Sequence, residues 1–263
     1  MTKTATMAEE MPRLLKRLYR FREKAAAGGW ARLGRRWRKA LLVAALRRAW
    51  PGGYALTDTG ELAFVPAPLD ARGEHVLFYG FDAPVAALRF APAGGVAIDI
   101  GANLGEWAVP LAKAVGPNGR LLCCEPNPAM AAALSATLAI NNLPHAQVLA
   151  VALSSDDGEG RLAIDGVDSG RSHLADKGVA VRLRSLDSLV AEHRLDRLDL
   201  VKIDVEGHEA SVLEGMKSLL RNNDCFLQIE SWPQNAERFI AAMKAEGYDR
   251  LHRIDEDYYF AKK

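Results

Sequence analysis

Val96-Ala97-Ile98-Asp99-Ile100-Gly101-Ala102-Asn103-Leu104-Gly105 is a short apolar run that carries one acid and ends in a glycine-rich loop. Glycines at a strand-to-helix junction let the backbone approach a ligand, and the N-terminus of the following helix favours negative charge. The spacing is G-x-N-x-G, whereas a nicotinamide site reads G-x-G-x-x-G. Asp99, just before the loop, would repel a diphosphate and attract a sulfonium cofactor that carries a free ammonium.

Outward from this loop the chain alternates between two rhythms. Helix is predicted over residues 104–115, strand over 120–124, helix over 128–141 and a third strand over 147–153. Residues 154–197 form a long insert with strands at 161–164 and 179–183 and a short helix at 186–193. A fourth strand at 198–203 leads to a helix at 208–220, a fifth strand at 226–229 and a helix at 235–246. The runs 250–254 and 258–261, split by Asp255-Glu256-Asp257, make a closing hairpin. Strands alternating with helices imply a doubly wound α/β fold with a parallel, Rossmann-like sheet, here ended by an antiparallel hairpin. Before the loop, 54–56 and 62–65 are β-rich and 75–90 is a helical approach.

The start of the chain differs in character. Residues 1–50 hold fourteen Lys/Arg against three Asp/Glu, and the remainder holds twenty against thirty, so a net charge of +1 conceals a strongly basic arm on an acidic body. Residues 1–11 read as disordered and 12–50 as helices broken at Gly28-Gly29. The chain therefore divides into a basic helical extension, 1–53, and a catalytic-type domain, 54–263. Apolar Trp30, Trp37 and Trp50 favour packing of the arm on a second subunit, giving a homo-oligomer, ahead of peripheral contact with anionic lipid. Nucleic acid is not expected, since few aromatic-interleaved basic strand patterns are present. Cys123 and Cys124 lie inside an apolar run, Cys225 opens another, and no C-x-x-C spacing occurs. Reduced thiols of this kind, with no run of about 18 apolar residues, suit a cytoplasmic protein, peripheral at most to the inner membrane face.

Three further stretches carry chemistry. Glu125, in Cys123-Cys124-Glu125-Pro126-Asn127-Pro128, ends the second strand, where an acid can accept hydrogen bonds from both ribose hydroxyls of a nucleoside. Asp199-Leu200-Val201-Lys202-Ile203-Asp204-Val205-Glu206-Gly207-His208-Glu209 delivers carboxylates and an imidazole at the carboxyl end of the fourth strand. That cluster could hold the amino-acid end of a cofactor, act as general base or hold a divalent ion, with Glu209 also suited to a first helical turn. Glu230 ends the fifth strand at the same sheet mouth. Asp168-Ser169-Gly170-Arg171-Ser172-His173, in the insert, reads as a surface loop that could alternatively line an acceptor site. No metal-ligand spacing is assigned.

With these pieces in view the chain resembles the FkbM-type methyltransferases. The resemblance rests on IDIGANLG, CEPNP, VALSSDDG, RLRSLDSL, LDLVKIDVEGHEASVLEG and LQIE, in that order, between about Gly94 and Trp232. It implies a class I methyltransferase sheet, S-adenosylmethionine as donor, and O-methylation of a hydroxyl on a sugar, glycolipid or secondary metabolite. By motif, Asp99, Gly101, Asn103, Gly105 and Glu125 would bind the cofactor. Ser154 and Asp156 would approach the adenine. Asp204 and Glu206 would face the methyl-transfer centre, Asp204 also serving the cofactor. His208 stands where the family commonly has a small residue, and with Asp204 is a candidate base. The competing readings are a nicotinamide-dependent oxidoreductase and a non-catalytic cofactor-binding or assembly protein.

Overall fold

The computed structural model describes residues 43–57, 59–81 and 85–262, the side chains of 85 and 86 apart. The chain divides into two units, Met1–Ala49 and Trp50–Lys263. Of the first, residues 43–49 are described and are helical; the expectations for 1–42 lie outside the described residues.

The second unit opens with an antiparallel pair, β1 (Gly53–Leu56) and β2 (Leu62–Val65), then α1 (Ala71–Tyr79) and the short α2 (Val85–Leu88). The predicted approach at 75–90 is thus two helices, and the first starts earlier because Asp70 caps it by accepting from Gly73 N at 2.7 Å. The alternating core follows: β3 (Val96–Ile100), α3 (Ala108–Val115), β4 (Arg120–Cys124), α4 (Pro128–Ile140) and β5 (Ala146–Leu149). Asn127 caps α4 and Pro128 fills its first turn, where a missing N–H costs nothing.

The insert holds β6 (Val151–Leu153), β7 (Gly158–Ala163), a single 3-10 turn (Ser169–Arg171), β8 (His173–Leu174) and β9 (Val179–Arg184). Then come α5 (Leu186–Glu192), β10 (Leu200–Ile203), α6 (Glu209–Glu214), α7 (Lys217–Asn222), β11 (Phe226–Glu230), α8 (Pro233–Ala245), β12 (Tyr248–Ile254) and β13 (Asp257–Lys262). No described helix is long and apolar enough to cross a membrane.

Seven strands form the central sheet in the order β12-β13-β11-β10-β3-β4-β5. β11, β10, β3, β4 and β5 are parallel, and β13 runs antiparallel between β11 and β12. This is the doubly wound sheet with a closing hairpin that the sequence predicts. The order reverses at β3, whose neighbours β4 and β10 lie on opposite sides. A crevice therefore opens outside the carboxyl ends of β3 and β10, where open α/β sheets bind ligands.

Two elements differ from expectation. The single third strand over 147–153 is two strands: β5 pairs with β4, and beyond Ala150 β6 pairs in parallel with β9 in a second, four-stranded sheet of order β6-β9-β7-β8. The break carries Val151 and Leu153 off the sheet edge into a buried position. The helix over 208–220 likewise breaks at Gly215-Met216. A Cβ on Gly215 would fall 2.0 Å from the Ser154 carbonyl oxygen, so the backbones meet there. Asp187 then restarts the helix, accepting from Ser218 N at 2.9 Å and Leu219 N at 2.8 Å.

Candidate active site

A cavity of about 310 Å³ occupies the crevice at the carboxyl ends of β3, β4 and β10. Its floor is the loop after β3. Gly101 has φ +80°, and a Cβ there would lie 1.7 Å from the Asp204 carbonyl oxygen. The glycine loop and the end of β10 thus touch backbone to backbone, which no larger residue permits. Asn103 follows with φ +45° and donates its N–H to Glu125 Oε2 at 2.8 Å.

Glu125 is 6% exposed and lines the cavity. Its other oxygen accepts from Asn127 N at 2.8 Å. Burial pushes this carboxyl up to about 7, against the pull of the two backbone N–H groups. Each oxygen uses one acceptor site on the backbone and keeps another for a ligand hydroxyl.

At the end of β10, Lys202, Asp204, Glu206 and His208 all reach the cavity. Glu206 has φ +50°, a left-handed backbone uncommon for a side chain of its kind, at the point where the chain turns toward α6. Burial, then the neighbouring Asp204, raise its carboxyl. His208 stands at the N-terminus of α6 with Nε2 3.0 Å from Ser154 Oγ, and burial lowers its pKa, so the neutral imidazole dominates at neutral pH. Glu209 is buried and accepts from Gly207 N at 2.8 Å, which makes it a turn-closing residue beside the cavity.

Several predicted residues sit elsewhere than expected. Asp99 does not line the cavity. It is 0% exposed beneath the floor, in register with Lys202, whose Nζ is 3.5 Å from its Oδ1. Side-chain alternation along β3 directs it into the sheet interior, so its charge meets a lysine before it meets any ligand. Gly105 is also off the cavity wall: its α-carbon faces Leu134 of α4, where a Cβ would come within 2.7 Å. Ser154 is buried and turned onto His208. Asp156 is exposed and stands away from the cavity, since β6 ends three residues earlier, at Leu153, and the chain turns outward. Gly101, Asn103, Glu125, Asp204, Glu206 and His208 are brought together around one space.

The structure adds residues that the sequence did not single out. Lys202, 3% exposed, is one; a lone charge inside the apolar run of β10 was the available signal. Arg72 and His75, three apart on α1, and Glu106 line the wall opposite β10, with Arg72 Nη1 3.5 Å from Glu106 Oε1. No sequence pattern marks them. The insert loop is not a plain surface loop: Ser169, Gly170, Ser172 and His173 line the cavity. Asp70 Oδ2 holds Ser169 N at 2.8 Å, and Ser169 Oγ lies 3.3 Å from Asn103 Oδ1, tying the loop to α1 and to the cavity floor. Among the described residues no group of three or more His, Cys, Asp or Glu is placed to hold a metal ion.

Comparison with known proteins finds relatives of this chain. Residues 99–250 match the model of the methyltransferase FkbM domain. A protein named methyltransferase sdnD, from Sordaria araneosa, is 27% identical over 199 residues, 60% of this chain and 75% of that one. Among solved structures, the FkbM methyltransferase from Methylobacillus flagellatus KT gives a TM-score of 0.47 at 18% identity. That match covers 64% of this chain and 44% of the other, so the chain spans under half the length of that protein. Fibrillarin from Aeropyrum pernix, solved with natively bound S-adenosyl-L-methionine, gives 0.43 at 12% identity, covering 79% and 91%. The nicotinamide oxidoreductase and non-catalytic alternatives are set aside by the family match.

Proposed function

The chain belongs to the methyltransferase FkbM domain family, and we propose that it transfers the methyl group of S-adenosylmethionine to a hydroxyl of a sugar, glycolipid or secondary metabolite. The observation that carries this reading is Glu125, held at the cavity wall by two backbone N–H groups with acceptor sites to spare for a ribose diol. The residues present fit the donor. Among the described residues lining the cavity, Glu106, Glu125, Asp204, Glu206, Glu230 and Asp257 outnumber the fixed cations Arg72 and Lys202. Burial raises several of these carboxyls, Glu125 to about 7 and Glu230 to about 8, and a sulfonium with an ammonium end would draw them to the ionised form. The same surplus favours an uncharged hydroxyl acceptor over an anionic one.

Bound S-adenosylmethionine supplies an already activated methyl group. What remains for the protein is alignment and removal of one proton. Asp204 is assigned to the ammonium end of the donor, and Glu206 faces the transfer centre. His208 is the base: Ser154 Oγ, 3.0 Å from Nε2, holds the ring, and in the tautomer that donates Nε2–H to it Nδ1 takes the acceptor proton. Asp204 is the second candidate. Arg72, His75 and the 169–173 loop form the acceptor wall.

The thiols and the absence of a spanning helix among the described residues support a cytoplasmic setting. The basic arm and its tryptophans support a homo-oligomer first and peripheral membrane contact second.

Isothermal titration with S-adenosylmethionine, S-adenosylhomocysteine and NAD(H) in parallel tests the donor. Micromolar binding of the first two with none for NAD(H) is expected, followed by an acceptor screen starting with deoxysugars and glycolipids. Binding of NAD(H) alone, or of none, overturns the reading.

A further inference from the structure

We propose that Lys202 is a positioning residue that fixes the donor-binding end of β10 against the glycine loop, and that Asp99 acts only through it. The inference rests on the donor assignment above. The Lys202 ammonium donates to the Gly101 carbonyl at 3.3 Å and to Asp204 Oδ2 at 3.3 Å, and forms an ion pair with Asp99 Oδ1 at 3.5 Å. The first two stand on either side of the closest backbone approach in the site, where Gly101 meets the Asp204 carbonyl. The third comes from below. Asp99 has no hydrogen-bond donor on either oxygen and no exposure, and among the described residues the lysine is the cation paired with it.

The sheet register explains the arrangement. Lys202 sits opposite Asp99 on β3 and opposite Gln228 on β11, the middle of a polar row crossing three adjacent parallel strands beneath the cavity. A row of this kind in a sheet interior is costly unless its charges are paired. The pairing here is directed upward. A lysine serving only to neutralise Asp99 could be replaced together with it. A lysine that also aims Asp204 and holds the Gly101 carbonyl could not. Two of its protons are directed to the Gly101 carbonyl and Asp204, and its charge is paired with Asp99, so Lys202 acts on the site through these groups.

The double variant D99N/K202M separates these roles. It removes both buried charges at once, and S-adenosylmethionine and S-adenosylhomocysteine titrations are compared with the melting temperature. The native protein in the same titration controls for the donor assignment: if it binds neither ligand, that assignment has failed and the role of Lys202 with it. With native binding established, the expected result is a melting temperature close to native and affinity for both ligands weakened at least tenfold. Native affinity in the double variant overturns the proposal and leaves Lys202 a counter-ion for Asp99. Should the double variant not fold, Lys202→Arg decides by the same titrations. A guanidinium keeps the charge but cannot converge on three acceptors from one atom, so a tenfold loss supports the positioning role and native affinity rejects it.

Discussion

The central sheet buries Ile98, Ile100, Val201, Leu227 and Ile229 to 1% exposure or less, in one continuous core reaching from α5 to β13. The four-stranded sheet gathers only Ala152, Leu162 and Val181 into a core of its own, with Leu174 and Leu183 against it. Yet both sheets wall the same cavity. The difference teaches how the two sides are held. The donor side is fixed by backbone contact above a large apolar core, at Gly101–Asp204 and at Glu125. The insert side is held by a few polar ties, Asp70 to Ser169 and Ser169 to Asn103, on a thin layer.

The largest expected effect falls on the rigid side. Gly101→Ala forces a Cβ into the Asp204 carbonyl at a left-handed backbone angle. About 3 kcal/mol or more of stability should be lost, from overpacking and αL strain together, and donor affinity should fall beyond detection. Thermal melting and titration with S-adenosylmethionine check it. Native-like values would show that the loop yields, and the contrast between the two sides would collapse.

His208 stands at the seam, starting α6 beneath the central sheet while bonding Ser154 at the end of β6. His208→Gln keeps a hydrogen-bonding side chain but removes the base. Turnover with an acceptor from the screen should fall roughly 100-fold or more with little change in donor affinity. A loss confined to KM for the donor would move His208 to the rigid side and leave the base to Asp204.

Glu125 gives the contrast a pH signature. Burial pushes its carboxyl up to about 7, and only the ionised form keeps a spare acceptor site on each oxygen for ribose beside the backbone N–H it already holds. Donor affinity should therefore be highest above pH 7 and fall, by up to roughly tenfold per pH unit, as Glu125 protonates below it. Glu125→Gln should weaken binding by about 10- to 100-fold and flatten the profile between pH 6 and 8. An unchanged slope in that variant would assign the titration to another group.

How much of this was legible follows the same division. Val96–Ile100, Arg120–Cys124 and Leu200–Ile203 announced themselves because strands buried on a parallel sheet read as apolar runs, and their terminal residues Gly101, Glu125 and Asp204 follow directly. Asp99 was legible as an acid but not as a buried one, because its partner lies 103 positions away in sequence and only strand pairing brings Lys202 opposite. The division of β5 from β6 was hidden because both halves are apolar. The wall formed by α1 and the insert loop was hidden most: Arg72 and Ser169 belong to segments with no periodic signal, and these meet through Asp70 on Ser169, Ala71 N on the Val167 carbonyl and Arg72 beside Asp168.

Asp70 supplies the smallest effect and the sharpest discriminator. It spends one oxygen capping α1 through Gly73 N and the other on Ser169 N, so Asp70→Ala removes a helix cap and one of the ties between α1 and the insert loop, leaving Ala71 N on the Val167 carbonyl and Arg72 beside Asp168. The cost should be about 2 kcal/mol, a cap and one charged hydrogen bond at the surface end of a short helix. Hydrogen exchange should quicken over residues 168–173 while the glycine loop stays protected, because nothing in the Gly101–Asp204 contact depends on α1. Donor affinity should then shift by less than about threefold, within what one lost neighbouring hydrogen bond allows, while KM for the acceptor rises. If instead donor affinity fell as far as in Glu125→Gln, the Ser169–Asn103 contact would be transmitting the loop's position into the floor of the cavity, and the two walls would have to be treated as one coupled unit.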